Sequence, residues 1–411
     1  MNVLAMVLAG GRVDDLGVLT FFRPKSAMPF GGLYCIIDFP MSNLMHSGIE
    51  KVGILSQYKP LYLMEHVGNG GSWDMTGRNR FVTILPPFKG LGTSNWYKGT
   101  ADAVYQNIDF LTMHRPDIIL ILSGDHIYKM DYREIIRFHL ENDADLTIAC
   151  AKIPRKGAHR FGLANIEEGD VRGGRVLDYT EKSDKPQFEW ASLTINVFTP
   201  YALFEALEAN VKENSHEFGR DIIPFLLAGN YKVYGYKHYG YWGYTRSPQE
   251  YWQTNMDLLG DSPKIDIASW QICTNLSRLQ IRDRQPALIR ESSLIEDSLL
   301  YSGCQVKGKV VHSILFPGVK VDSGSVVEDS ILFSNTVVKR YARVVRTITD
   351  ENVTIGTKAE IGDEICDDLT IIGTGTRVAK ETKISSGVTV YPNLGPAQFT
   401  RKLYHKKEVI Q

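Results

Sequence analysis

Three cations, Arg12, Arg23 and Lys25, follow an apolar run, Val3–Leu8, that leads straight into Gly10-Gly11. A turn without Cβ atoms lets backbone N–H groups come close to phosphate oxygens or a base edge, and the cations supply charge to neutralise them. That combination suits a nucleoside triphosphate. The spacing has neither the Gly-Lys-Ser/Thr ending of a P-loop nor the G-x-G-x-x-G of a dinucleotide fold, which turns the reading away from kinases and dehydrogenases. The bland reading of the same letters is a strand-to-helix turn beside a solvated basic face.

A second candidate is Asp125, in Leu120-Ile-Leu-Ser-Gly-Asp-His-Ile-Tyr-Lys-Met-Asp-Tyr132. A carboxylate set directly after a buried strand and a glycine is a hard oxygen ligand that can hold Mg²⁺ against triphosphate oxygens. The alternative is an N-cap for the next helix, a role that Asp131 fits better. The Asn95–Gln106 stretch opens a helix at Gly99-Thr100-Ala101. A helix start offers N–H groups to a ligand, yet a helix capped within its first turn by Asp102 explains the same letters. Asp178-Tyr-Thr-Glu-Lys182 ends a strand with an acid and a base. These could serve sugar hydroxyls and a phosphate, or simply pair with each other at the surface.

Composition narrows the class. The chain has 411 residues, formal net charge −1 and 43% hydrophobic residues, so two or three domains are expected, with no basic field for nucleic acid or anionic lipid. Without an apolar run of ~18 residues, no membrane span is expected, and the first residues lack signal-peptide character. Five widely spaced cysteines read as reduced thiols of a cytoplasmic protein.

These residues need a scaffold. To about residue 255, Val3–Leu8, Val52–Ser56, Ile118–Leu122 and Leu146–Cys150 read as buried strands, and Ala101–Leu111 and Tyr132–Glu141 as helices. This rhythm predicts a mostly parallel sheet flanked by helices, which binds ligands beyond the carboxyl ends of its strands. Residues 260–290 read as a linker. From 291 to 411 the pattern changes to apolar residues in steps of six, six and five: Cys304, Val310 and Phe316, then Val321, Val327 and Phe333, then Val338 and Val344, then Ile355 and Ile361, then Ile372, Val378 and Ile384. Cys304, Val321, Val338, Ile355 and Ile372 stand seventeen apart. A three-sided parallel β-helix explains the period, and a sandwich of short strands does not. Its flat faces and open end predict an oligomer.

Taken in chain order, Leu8-Ala-Gly-Gly-Arg12, Pro29-Phe-Gly-Gly32, Ile36-Ile-Asp-Phe39, Gln57-Tyr-Lys59, Trp96-Tyr97 with Gly99-Thr-Ala-Asp-Ala-Val104, Gly124–Tyr132, Glu181-Lys182, Phe218-Gly219 with Asp221–Pro224 and the hexapeptide repeats resemble the sugar-nucleotide pyrophosphorylases. Within these the ADP-glucose pyrophosphorylases of bacteria and plants are nearest. The resemblance implies an α/β architecture: a Rossmann-like (GT-A-like) nucleotidyltransferase domain over residues 1–259, followed by a left-handed parallel β-helix. It implies ADP-glucose and pyrophosphate made from ATP and glucose 1-phosphate for glycogen or α-glucan synthesis, with Mg²⁺ as cofactor, in a cytoplasmic homotetramer or a heterotetramer with a paralogous subunit. Carried over residue by residue, Lys25 and Asp125 are catalytic, with Asp125 on the metal. Leu8, Ala9, Gly10, Gly11, Gln57, Tyr97, Gly99, Thr100 and Ala101 bind the nucleotide, and Glu181, Lys182 and Ser192 bind the sugar phosphate.

The family's glycine loop, Gly-Gly-x-Gly-Thr-Arg-Leu, is Gly10-Gly-Arg-Val-Asp-Asp-Leu16 here. Val13 therefore replaces a glycine, and Asp15 replaces the arginine that grips departing pyrophosphate. Tyr244 stands where the family has its second metal aspartate, with Arg246 two residues on as a substitute cation. These changes set a second expectation beside the first: a catalytically impaired regulatory subunit that binds nucleotide or sugar phosphate. Acyl transfer by the hexapeptide domain carries little weight.

Overall fold

The computed structural model describes residues 1–11, 14–88, 96–277, 281 and 283–411. Arg12, Val13 and Asn95, named above, lie outside the described residues. The chain forms two compact units that are not contiguous in sequence: residues 1–11 with 37–242, and residues 12–36 with 243–411. The contiguous division expected at residue 259 differs from this one, because residues 12–36 find their packing partners in the β-helix unit.

The first unit is built on a nine-stranded sheet. Its strands in chain order are β1 Val3–Leu8, β2 Lys51–Leu55, β3 Phe81–Leu85, β4 Ile118–Ser123, β5 Leu146–Lys152, β6 Gly162–Ile166, β7 Gly173–Glu181, β8 Trp190–Phe198 and β9 Val233–His238. The spatial order is β3-β2-β1-β4-β8-β5-β9-β7-β6. β3, β2, β1 and β4 are mutually parallel, as the continuous apolar runs of β1 and β4 require of strands buried on both faces. β8 runs antiparallel to both β4 and β5, and β7 antiparallel to β9 and β6. Seven strands thus share one direction, and the sheet is mixed beyond β4.

The chain leaves β1 toward β2 and β3 on one side and returns to β4 on the other. Order reverses between β1 and β4, which is where an α/β sheet opens a crevice for ligands.

Of the two expected helices, Tyr132–Glu141 forms as read, with Asp131 as its N-cap accepting from the Arg133 N–H at 3.0 Å. The Ala101–Leu111 helix is instead two, Thr100–Tyr105 and Ile108–His114. The break has a local cause: Asn107 donates from its side-chain amide to the Ala103 carbonyl (2.9 Å), taking the acceptor that a continuing helix would give to its backbone.

In the second unit, residues from Leu288 onward form a left-handed β-helix of three parallel sheets. One face aligns Ile289, Val306, Val321, Val338 and Ile355, a second Ile295, Val310, Val327, Val344, Ile361, Ile384 and Tyr404. The third aligns Leu300, Leu315, Leu332, Thr349, Ile372, Val390 and Ile410.

Three expectations need correction. Val306, not Cys304, pairs with Val321, so the early coil is two residues shorter than the period. Ile372 pairs with Thr349 on the third face and not with Ile355, because residues 362–369 lengthen that coil. The third face points Leu315 and Leu332 inward, whereas Phe316 and Phe333 lie one residue along and therefore on the opposite side of the strand. Phe316 and Phe333 are buried nonetheless, with ring centroids 4.9 Å apart.

What covers Phe333 is the rest of this unit. The Tyr251 ring lies 6.3 Å from it, on the Pro248–Met256 helix, whose start carries a Ser247/Glu250 capping box. Tyr251 donates its hydroxyl to the Pro29 carbonyl, Asn255 accepts from the Gly31 N–H (2.9 Å), and Trp252 donates to the Asp329 carbonyl (2.7 Å). Residues 21–32 are thereby fixed on the β-helix unit. The stretch read as a linker is also partly packed, with Ile265 and Ile272 buried.

Leu332 is a direct check on the register. Leu332→Ala is expected to destabilise the β-helix by about 2–5 kcal/mol in urea unfolding followed by circular dichroism. A loss below about 1 kcal/mol would place Leu332 outside the solenoid interior.

Candidate active site

In the first unit, the Gly124 N–H donates to the Leu8 carbonyl at 2.9 Å, closing the β1–β4 ladder one residue past its last pair, Leu8 with Ser123. Gly10-Gly11 and Asp125 therefore leave adjacent strand ends, at the point of order reversal. Gly10 is needed for the protein's own packing: a Cβ there would fall 2.5 Å from the Gln57 backbone nitrogen, while the Gly10 carbonyl accepts from the Tyr58 N–H (3.1 Å). Gly11 is the glycine with open space, since a Cβ there would meet nothing within 4 Å. Leu8 and Ala9 lie beneath it, the Ala9 N–H held by the Leu55 carbonyl (2.9 Å).

The Asp125 carboxylate accepts from the Ser123 hydroxyl and has His126 Nε2 at 3.5 Å. About a quarter of the side chain is exposed. Among the described residues no group of three or more His, Cys, Asp or Glu could hold a metal ion. A single carboxylate nonetheless fits Mg²⁺, which takes one or two protein oxygens and completes its shell with water and substrate phosphates.

The Gln57 amide is spent on the backbone of Tyr97, accepting from its N–H at 2.7 Å and facing its carbonyl at 3.4 Å. Tyr97 in turn donates its phenol to the Leu85 carbonyl (3.0 Å) and accepts from Asn107 (2.9 Å), and burial above all holds that phenol protonated. These two residues position the segment leading to Gly99.

The helix start expected to offer free N–H groups is already served. The Glu217 carboxylate accepts from the Thr100 N–H (3.2 Å) and hydroxyl (2.6 Å), the His216 carbonyl from the Ala101 N–H (2.9 Å), and Asp102 from the Lys98 N–H (2.8 Å). Gly99 sits so close to His216 that a Cβ would fall 2.2 Å from its carbonyl oxygen. The sequence gives no sign of the Glu217 cap, which comes from 117 residues away.

Glu181, Lys182 and Ser192 come together around Tyr179. The buried Tyr179 phenol donates to Glu181 (3.0 Å) and lies within reach of the Ser192 hydroxyl, while Lys182 pairs with Glu181 at 3.4 Å. Gly219 makes room for this carboxylate, since a Cβ there would fall 2.2 Å from Glu181 Oε2. Past Ser192, β8 shifts register before Asn196, with Thr194 at φ +55°, a strained setting for a β-branched residue. Ladder pairing with β4 begins at Ile195, opposite Leu122, so the shift lies beside the strand end that carries Asp125.

Lys25 belongs to the second unit. It is 2% exposed, with its ammonium 5.1 Å from the centre of the Tyr244 ring. Tyr244 accepts from Arg246 at 3.2 Å, and Arg246 also donates to Asp15 at 3.2 Å. Arg246 does follow Tyr244 as a cation, but the acid at position 15 opposes its charge. Arg23, read as a phosphate cation, is buried on Asp350 and Glu351. Its guanidinium serves the β-helix.

A nucleotidyl transferase family model matches residues 4–260. The chain belongs to the glucose-1-phosphate adenylyltransferase family. It is 39% identical to the glucose-1-phosphate adenylyltransferase of Desulforamulus reducens over 93% of this chain and 97% of the relative, and 38% identical to that of Fervidobacterium nodosum over 95% of each. That of Bacillus mycoides is 40% identical over 88% of this chain and 93% of its own. A GlmU-like C-terminal hexapeptide model matches residues 287–377. Among the described residues no helix is long and apolar enough to cross a membrane.

For this adenylyltransferase family member, Glu217→Ala removes the carboxylate that holds Thr100. A loss of about 1–3 kcal/mol is expected, with faster hydrogen exchange at the Thr100 and Phe218 N–H groups. Unchanged exchange there would show that the cap is not formed in solution.

Proposed function

We propose that this protein is a nucleotidyltransferase that forms ADP-glucose and pyrophosphate from ATP and glucose 1-phosphate for glycogen or α-glucan synthesis. The observation that carries the reading is the Gly124 bond to Leu8, which sets Gly10-Gly11 and Asp125 on neighbouring strand ends at the sheet's switch point. The sugar phosphate attacks the α-phosphorus in line and pyrophosphate leaves, so the protein's task is to position the reactants and neutralise charge. Mg²⁺ would be held by Asp125 and would neutralise triphosphate oxygens.

In this reading Lys25 faces the triphosphate. Leu8, Ala9, Gly10 and Gly11 line the base side, and Gln57, Tyr97, Gly99, Thr100 and Ala101 shape it through the bonds described above. Glu181 takes sugar hydroxyls, Lys182 the sugar's phosphate, and Ser192 steadies both through Tyr179. A cytoplasmic tetramer, of identical chains or with a paralogous subunit, completes the proposal. It is supported by the β-helix with its flat faces and by five cysteines that form no disulfide among the described residues.

A second reading rests on the resemblance alone: Asp15, which pairs with Arg246, and Tyr244, whose ring centre lies 5.1 Å from the Lys25 ammonium, stand at positions where the family has a cation and a metal carboxylate. A subunit built this way would bind the same ligands, turn over slowly and modulate an active relative.

Release of pyrophosphate decides between them. With ATP, glucose 1-phosphate and Mg²⁺ the purified protein is expected to release pyrophosphate, and Asp125→Asn to cut the rate by about 100-fold or more. Binding of both ligands without release would establish the second reading. In that case the combined Asp15→Arg and Tyr244→Asp variant is expected to raise turnover, and an unchanged rate would show that those two positions do not limit it.

A further inference from the structure

Arg23 and Lys25 are two residues apart in one loop, yet the structure gives them different surroundings. Arg23 is 3% exposed, donates to Asp350 and to Glu351 Oε1 (3.1 Å), sends its Nε–H to the Leu19 carbonyl (3.2 Å), and stacks 5.7 Å above the Phe333 ring. The two acids sit at the corner of the coil that follows Thr347–Thr349, and that corner is rigidly made. Asp350 caps the Glu351 N–H (2.7 Å), the Thr336 hydroxyl reaches the Asp350 carbonyl (3.3 Å), and the Glu351 carbonyl accepts from Thr374 and Gly375 (both 2.9 Å). Burial raises the Asp350 carboxyl above its ordinary range and the guanidinium opposes that rise. The second Asp350 oxygen has no hydrogen-bond partner among the described residues, so Arg23 is the principal compensation for this buried charge.

The loop is pinned on both sides of Lys25. Before it, Phe21 meets the Tyr391 ring edge-on at 5.3 Å; after it, Pro29 and Gly31 are held by Tyr251 and Asn255. The turn itself is closed by the Ala27 and Met28 N–H groups on the Pro24 and Lys25 carbonyls, each at 3.0 Å. A lysine only 2% exposed cannot search for its ligand by rotating a long chain through solvent. Where its ammonium sits is set by where its backbone is tied.

We propose that Arg23 is a positioning residue for nucleotide binding: by clamping the Lys25 loop to the β-helix coil at Asp350-Glu351, it makes triphosphate affinity depend on the β-helix. The inference rests on the reading of Lys25 as a triphosphate contact.

The test uses the full chain with Arg23→Gln, and Arg23→Gln combined with Asp350→Asn so that the fully buried Asp350 carboxylate does not lose its cation. ATP with Mg²⁺, and separately glucose 1-phosphate, are titrated by calorimetry, and hydrogen exchange is read at Ala27 and Met28. Both variants are expected to weaken ATP binding about tenfold or more, with faster exchange at those two N–H groups and unchanged affinity for glucose 1-phosphate. Arg23→Lys, which keeps a cation against Asp350, is expected to recover part of the loss. A folded double variant with wild-type ATP affinity, or with wild-type exchange at Ala27 and Met28, overturns the proposal. Equal losses for ATP and glucose 1-phosphate do the same, since they mark general destabilisation. A wild-type chain that binds no ATP overturns the nucleotide reading itself, and with it Arg23's part in it.

Discussion

The six-residue parallel pairing of Val3–Leu8 with Ile118–Ser123, sealed by the Gly124 N–H on the Leu8 carbonyl, is the constraint on which the first unit depends. Both strands are apolar nearly throughout and must be covered on two faces, which commits the neighbouring segments to helices and the strand ends to loops. Once the two strands end level, the backbone of residues 9–11 and 124–125 has nowhere to go but outward. Ser56-Gln57 presses against Gly10 from one side, and Ile37, Ala9 and Val7 crowd Gly124. The loops beyond the strand ends are a consequence of that packing, and the carboxylate of Asp125 is held there by Ser123 from within the strand itself.

Two of the cation–carboxylate arrangements in the β-helix unit have opposite characters. Arg23 with Asp350 and Glu351 is almost fully buried, so removing either charge strands the other in a low-dielectric setting. Arg246 with Asp15 is about half exposed on both sides, where such a pair is worth about 1 kcal/mol at most. The first is architecture. The second contributes little to holding the fold.

Much of this could be read from the letters because the signals were local or periodic. Continuous apolar runs gave the central strands, Asp131 the start of its helix, and a repeating seventeen the solenoid. The failures share a cause. In Ser313–Phe316 and Ser330–Phe333 an aliphatic and an aromatic residue stand side by side, and periodicity alone does not say which one enters the core. The answer depends on Tyr251 and Arg23, which cover Phe333 from distant parts of the chain. Likewise the Glu217 cap on Thr100, the Gln57 clamp on Tyr97 and the burial of Arg23 arise from contacts far apart in sequence. Residue type identified Arg23 as a cation, but only its neighbours decide whether that charge meets a ligand or a buried acid.

The central claim is that Asp125 holds a divalent cation against a triphosphate at the switch point of the sheet. The most direct measurement is calorimetric titration of ATP into the full-length protein, with excess Mg²⁺ and with chelator, in the wild type and in Asp125→Ala. The account predicts that Mg²⁺ tightens ATP binding to the wild type and has no such effect on the variant. Wild-type affinity indifferent to Mg²⁺, or an equal Mg²⁺ effect in both proteins, would contradict it.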